Sequence, residues 1–209
     1  MVLIDAGAGL LLTSAPGTAS TALRAAWLQQ RDVREVPPPG AVRTAGVDVK
    51  HGTVGQLVAA GLLPVDHGLR VVTTTRNPFD YYLAEYERTR TRWVLELDDP
   101  GSWVHATPGA VDRIAEAVTM DFDAWLTRAI GSPPRPRRVN AGHVAEADVV
   151  LRMEHLEGDL RDLCGLRLTV PRTNVTARER AWWRVYDVAG RSLVESAHAE
   201  DLRRFGYTF

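Results

Sequence analysis

Apolar positions fall along the chain in short blocks whose spacing alternates between that of strands and that of helices. Gly9 to Thr13 carries the uninterrupted run Leu10-Leu11-Leu12, the length of a buried strand. After a stretch of small residues, Ala22, Leu23, Ala26 and Trp27 recur at helical spacing. Arg70 to Thr75 is β-branched and predicts a second buried strand, broken by Arg76-Asn77-Pro78. Phe79 to Val94 then reads as a helix with aromatic residues at Phe79, Tyr82 and Tyr86, and Pro78 suits its first turn. Thr53 to Leu63 predicts a short helix entered from Lys50-His51-Gly52. Beyond Pro108-Gly109 one long amphipathic helix is expected, with Val111, Ile114, Ala115, Val118, Phe122, Trp125 and Leu126 on one face. Val149-Val150-Leu151 reads as a buried strand leading into a helix over 154–163, and the C-terminal part carries helical stretches over 177–187 and 192–205. Strands alternating with helices predict an α/β fold with a central, mostly parallel sheet and helices on both faces.

At 209 residues the chain has the size of one soluble domain spanning 1–209, able to bury roughly 70% of its unfolded surface. A formal charge of −1 supplies no general field for nucleic acid or an anionic membrane, so any anion site must be local. The basic residues are 24 arginines and a single lysine, Lys50, a ratio that GC-rich codon usage explains. The one cysteine, Cys164, permits neither an intramolecular disulfide nor a cysteine metal cluster, which predicts a cytoplasmic protein with a core thiol. No run reaches the roughly 18 apolar residues of a spanning helix. Asp5, and the lack of a basic residue before Arg24, speak against a signal peptide. Pro37-Pro38-Pro39-Gly40 and Gly131-Ser132-Pro133-Pro134-Arg135-Pro136 read as short loops, with Arg135, Arg137 and Arg138 solvated.

Between the first strand and its helix lies Ser14-Ala15-Pro16-Gly17-Thr18-Ala19-Ser20-Thr21. A strand that enters a small-residue loop and then a helix aims backbone N–H groups and the positive helix end at one hollow, a cradle suited to phosphate. Thr18, Ser20 and Thr21 add hydroxyl donors. The same residue types are ordinary turn and cap formers, so this segment alone leaves both readings open. The spacing of the ATP-binding P-loop, Gly then four residues then Gly-Lys-Ser/Thr, is absent, which removes the main support for a kinase or ATPase.

Taken with that loop, Thr75-Arg76-Asn77-Pro78-Phe79-Asp80, with Tyr86 further along its helix, resembles the sulfotransferase family that uses 3′-phosphoadenosine 5′-phosphosulfate (PAPS). Lys50-His51, Leu151-Arg152-Met153-Glu154-His155-Leu156, Asn174-Val175-Thr176 and Phe205-Gly206-Tyr207 extend the resemblance over nearly the whole chain. It implies a P-loop-like sulfotransferase fold in which Gly17, Thr18, Ala19, Ser20 and Thr21 hold the 5′-phosphosulfate and Arg76 the 3′-phosphate. Arg172, after Pro171, is a further candidate for the 3′-phosphate. Arginine suits that task because its planar fork makes bidentate, always-charged hydrogen bonds to phosphate oxygens. A surface ion pair is the alternative for Arg76, and the Asn-Pro after it weighs against that.

Two positions depart from the family pattern. Gly17 stands where a lysine usually stabilises the bridging oxygen as the sulfuryl group leaves, and Ala84 where a serine usually shares the 3′-phosphate. Loss of a preorganised charge donor can cost about 10²–10³ in rate. Lys50 is the candidate substitute. His51 beside it is the candidate general base for an acceptor hydroxyl, imidazole being the side chain that exchanges a proton nearest neutral pH; a helix-start cap is its alternative role. His105, Glu85 and Asp80 are less favoured bases. Trp182, Trp183, Tyr186 and Trp103 read first as core and otherwise as an acceptor pocket beside Arg180 and Arg184.

The implied activity is PAPS-dependent sulfuryl transfer to a hydroxyl of a small metabolite, releasing 3′-phosphoadenosine 5′-phosphate, with no metal. The sulfate ester would be a product or a leaving group for closing an aziridine or azabicyclic ring in an antibiotic pathway. The alternative is a sulfotransferase-like or nucleotide-binding subunit that needs a companion protein in a hetero-oligomer. Neither nucleic acid nor membrane is expected as a partner.

Overall fold

The computed structural model describes residues 2–30, 32–37, 50–131, 140–173, 175–176 and 181–209. Pro38, Pro39, Gly40, Arg135, Arg137, Arg138, Asn174 and Arg180 from the sequence reading lie outside the described residues. Strands β1 (Val2–Asp5), β2 (Leu10–Leu12), β3 (Val33–Val36), β4 (Arg70–Thr75) and β5 (Val149–Arg152) form a sheet in the order β3-β1-β2-β4-β5. The helices are α1 (Ser20–Trp27), α2 (Val54–Ala59), α3 (Pro78–Thr91), α4 (Trp103–Ala106), α5 (Ala110–Thr119), α6 (Phe122–Gly131), α7 (Ala141–Ala145), α8 (Leu156–Cys164), α9 (Val188–Ala197) and α10 (Ala199–Phe205). Short 3₁₀ turns occupy Trp93–Asp98, Met153–His155 and Trp182–Arg184.

The α/β class and the helix-flanked sheet are as expected, but the sheet is mixed rather than mostly parallel. The three strands with a sequence signal, β2, β4 and β5, do run parallel. The added strand β1 reverses the pattern: it is antiparallel to both its neighbours, β2 and β3, with Leu3 opposite Leu12 and Ile4 opposite Arg34. The cause is the length of the β1–β2 link. Ala6 to Gly9 is a tight turn, closed by the Ala8 N–H donating to Asp5 Oδ1 at 2.9 Å, whereas a parallel pair needs a crossover of a dozen or more residues.

The chain divides into two compact units, Met1–Arg76 with Asn140–Asn174 and Asn77–Val139 with Val175–Phe209. The first holds the sheet. Because strand side chains alternate, Leu10 and Leu12 join Leu23 and Trp27 of α1 and Leu156 and Leu160 of α8 on one face. Leu11 joins Val54 and Leu57 of α2 on the other. Trp27 also donates its indole N–H to the buried Asp5 carboxylate at 3.0 Å, fastening α1 to β1.

The second unit is helical around Phe79, Tyr82, Tyr86, Phe122, Trp125 and Leu126. The long helix expected after Gly109 is two helices. Asp121 breaks it by accepting the Ala124 N–H at 2.8 Å, which starts α6 afresh. Within α5 the buried positions are Ala110, Ile114 and Ala117, while Val111 and Val118, expected inward, are exposed. The helix expected over 177–187 is, among the described residues, a single 3₁₀ turn, because Asp187 instead caps α9 through the Gly190 N–H at 2.6 Å. His198 divides the expected 192–205 helix into α9 and α10. Among the described residues no helix is long and apolar enough to cross a membrane.

Candidate functional site

The loop from Thr13 to Ser20 leaves the parallel strand β2 and enters α1. Gly17 at φ 74° and Ala19 at φ 62° both hold left-handed backbone, a conformation found in backbone turns that bind anions. Ala19 caps α1 without a side-chain hydrogen bond, and no acidic residue lies in the first turn. The positive helix end is therefore offered by the backbone itself.

The carbonyls of this loop are held by side chains. Four in succession accept side-chain donors. Ser14 O accepts His51 Nδ1–H at 2.7 Å, Ala15 O accepts the Thr18 hydroxyl at 2.8 Å, Pro16 O accepts Asn140 Nδ2–H at 2.9 Å, and Gly17 O accepts Arg76 Nη1–H at 3.1 Å. Carbonyls held this way are withdrawn from any anion lying against the loop amides, where their negative ends would repel it. Threonines of β4 brace the base: Thr13 donates to Thr73 Oγ1 at 2.8 Å, and the Thr18 and Thr74 hydroxyls are joined.

Each residue singled out from the sequence has a definite place. The Thr18 hydroxyl gives its proton to Ala15 O, so its contribution to a ligand comes through the backbone N–H. Ser20 is buried and Thr21 exposed at the start of α1. Arg76 is only 6% exposed at the end of β4, which is not the setting of a surface ion pair, and its guanidinium lies against the cradle wall at Gly17. His51 is half-buried. A carbonyl only accepts, so Nδ1 carries the hydrogen toward Ser14 O. Lys50 is exposed beside it, and Arg172 is exposed in the coil after α8. Among the described residues, no group of histidine, cysteine and carboxylates could hold a metal ion.

The two positions at which the sequence departs from the resemblance, Gly17 and Ala84, have structural settings of their own. Gly17 adopts a backbone that costs an L-residue roughly 1–2 kcal/mol, so a lysine there would be strained. Ala84 is 1% exposed within α3, a packing position in the helical unit. Asp80, Glu85 and His105 also belong to that unit. Trp182 and Tyr186 pack with Phe79, its ring stacked on Trp182 at 5.6 Å, while Trp183 and Trp103 are substantially exposed.

Sequence reasoning missed Asn140 and His143. His143 donates from Nε2 to His51 O at 3.0 Å, and burial holds its imidazole below its ordinary pKa against the opposing pull of that hydrogen bond and of nearby Glu146. Both sit at a five-residue helix with too few apolar positions for a periodic signal; the polar Asn and His in a short segment were the only cue. Arg152, from the quoted strand motif, instead forks onto Asp159 at 2.8 and 3.1 Å. No protein-family model and no curated protein matches the chain.

Proposed function

We propose that the chain is a PAPS-dependent sulfotransferase that transfers a sulfuryl group to a hydroxyl of a small metabolite. The observation that carries this is the tethering of four successive loop carbonyls beside an uncapped helix start, with the buried Arg76 against the same loop. The residues fit a nucleotide polyanion, which needs converging amides and a fixed cation. In this reading the backbone of 17–21 holds the 5′ side and Arg76 the 3′-phosphate. PAPS, when bound, supplies the sulfuryl group. His51, with Nδ1–H anchored on Ser14 O, presents Nε2 to accept the proton of the acceptor hydroxyl. Lys50, next in the chain, would neutralise charge developing on the leaving oxygen. The ester formed would be an end product or an activated leaving group for ring closure.

Calorimetric titration with 3′-phosphoadenosine 5′-phosphate tests the site. The wild type should bind, and Arg76→Ala should weaken binding by about tenfold or more, the worth of a charge-assisted hydrogen bond. Equal affinity, or no binding by either protein, overturns the proposal.

A second reading, a subunit that needs a companion protein for activity, is favoured by Gly17, whose backbone disfavours the family's lysine. Binding of the nucleotide without transfer from PAPS, until a co-purifying protein is added, would select it.

A further inference from the structure

We propose that residues 140–146, α7 with its two flanking residues, form a clasp whose Asn140 and His143 are positioning residues for the cradle and for His51. The segment grips the sheet unit at three places. Asn140 Nδ2–H donates to Pro16 O at 2.9 Å, inside the cradle loop. His143 Nε2–H donates to the backbone carbonyl of His51 at 3.0 Å. Glu146 accepts the Thr53 hydroxyl at 2.8 Å and the Gly55 N–H at 3.2 Å, at the start of α2. One short segment thus fixes the loop that would hold the anion and the turn that carries the proposed base.

The packing is close enough to make the grip specific. A Cβ on Gly55 would stand 2.9 Å from Glu146 Oε1, and one on Gly142 would stand 3.3 Å from Thr53 Cγ2. His143 is 5% exposed, and its Nδ1 has no hydrogen-bond partner, so the ring is committed as a single Nε2–H donor. Asn140 holds left-handed backbone at φ 55°, which asparagine tolerates better than most residues and which aims its side chain back along the chain to Pro16.

The roles assigned to cradle and base rest on the sulfotransferase reading; the ordering of loop 14–21 and of His51 does not. The test therefore combines hydrogen exchange of the unliganded chain, nitrogen NMR of the His51 ring and titration with 3′-phosphoadenosine 5′-phosphate. Asn140→Gly keeps the backbone and removes the donor. It should speed exchange in 14–21 and weaken the nucleotide about fivefold, the worth of one hydrogen bond, while leaving the His51 ring signals in place. His143→Phe should mix the His51 tautomers, the wild type showing the Nδ1–H form, and, because that form alone tethers Ser14 O, weaken the nucleotide by about twofold or more. His143→Gln, which keeps an N–H donor, should restore the wild-type His51 spectrum, a recovery that loss of packing alone would not give. Unchanged exchange in Asn140→Gly together with an unchanged His51 spectrum in His143→Phe overturns the clasp. So does a His143→Gln spectrum that matches His143→Phe. If the wild type binds no nucleotide while the exchange and ring signals shift as described, the clasp stands and the nucleotide reading falls.

Discussion

Ala19 carries the backbone strain of the cradle, an L-residue at φ 62° where the loop enters α1. Such residues persist where surrounding bonds over-determine them, and here the bonds to Ser14, Ala15, Pro16 and Gly17 do so. Ala19→Gly should raise stability by about 0.5–1 kcal/mol, relief of strain being partly offset by unfolded-chain entropy. Denaturant midpoints measure it, and a lower midpoint would show that the Ala19 methyl matters more than its φ. Gly17→Lys should do the reverse, lowering stability by roughly 1–2 kcal/mol. A lysine at that place is therefore opposed by the backbone. The residue types of this loop were legible as a strand-to-helix turn. Its donors were not, because His51, Arg76 and Asn140 come from 37, 59 and 124 residues away.

At the scale of elements, β5 and α8 are joined by Arg152, whose backbone N–H, Nε and Nη2 all donate to the Asp159 carboxylate. Burial alone would raise the Asp159 pKa, but these bonds outweigh it and hold the carboxyl below its usual range. The unfolded chain then takes up the proton at a higher pH than the folded one. The stabilisation is present at neutral pH and is lost as pH falls below about 4, through the depressed folded value. Asp159→Asn should lower stability at pH 7 by about 1–2 kcal/mol and flatten this acid limb, as read by unfolding curves from pH 7 to 3. A variant with the full acid limb would assign the effect to other carboxylates. Local patterning and residue type made α1, α3, β4 and β5 legible with errors of a few residues at their ends, while α2, expected over 53–63, stops at Ala59. The breaks at Asp121 and His198 were hidden, since apolar spacing continues through both.

On the scale of the whole molecule, each compact unit has its own core, the sheet unit around Leu12, Val72 and Leu151 and the helical unit around Phe79, Tyr82 and Trp125. Leu151→Ala should cost about 2–5 kcal/mol and Trp125→Ala about 3–5 kcal/mol. Hydrogen exchange should rise first in β2, β4 and β5 for the former and in α3, α6 and α9 for the latter. Uniform acceleration along the chain in both variants would mean a single cooperative core. Local patterning in the chain was enough for the α/β class, the parallel strands β2, β4 and β5, and a small-residue loop at the start of α1, because burial periodicity and turn chemistry act between near neighbours. The antiparallel β1, the tethering of the loop carbonyls by side chains and the hydrogen bonds of Asn140 and His143 were settled only by tertiary contact. Hydrogen-bond partners far apart in sequence leave no periodic trace, and a carbonyl's direction is chosen by whichever donor the fold brings to it.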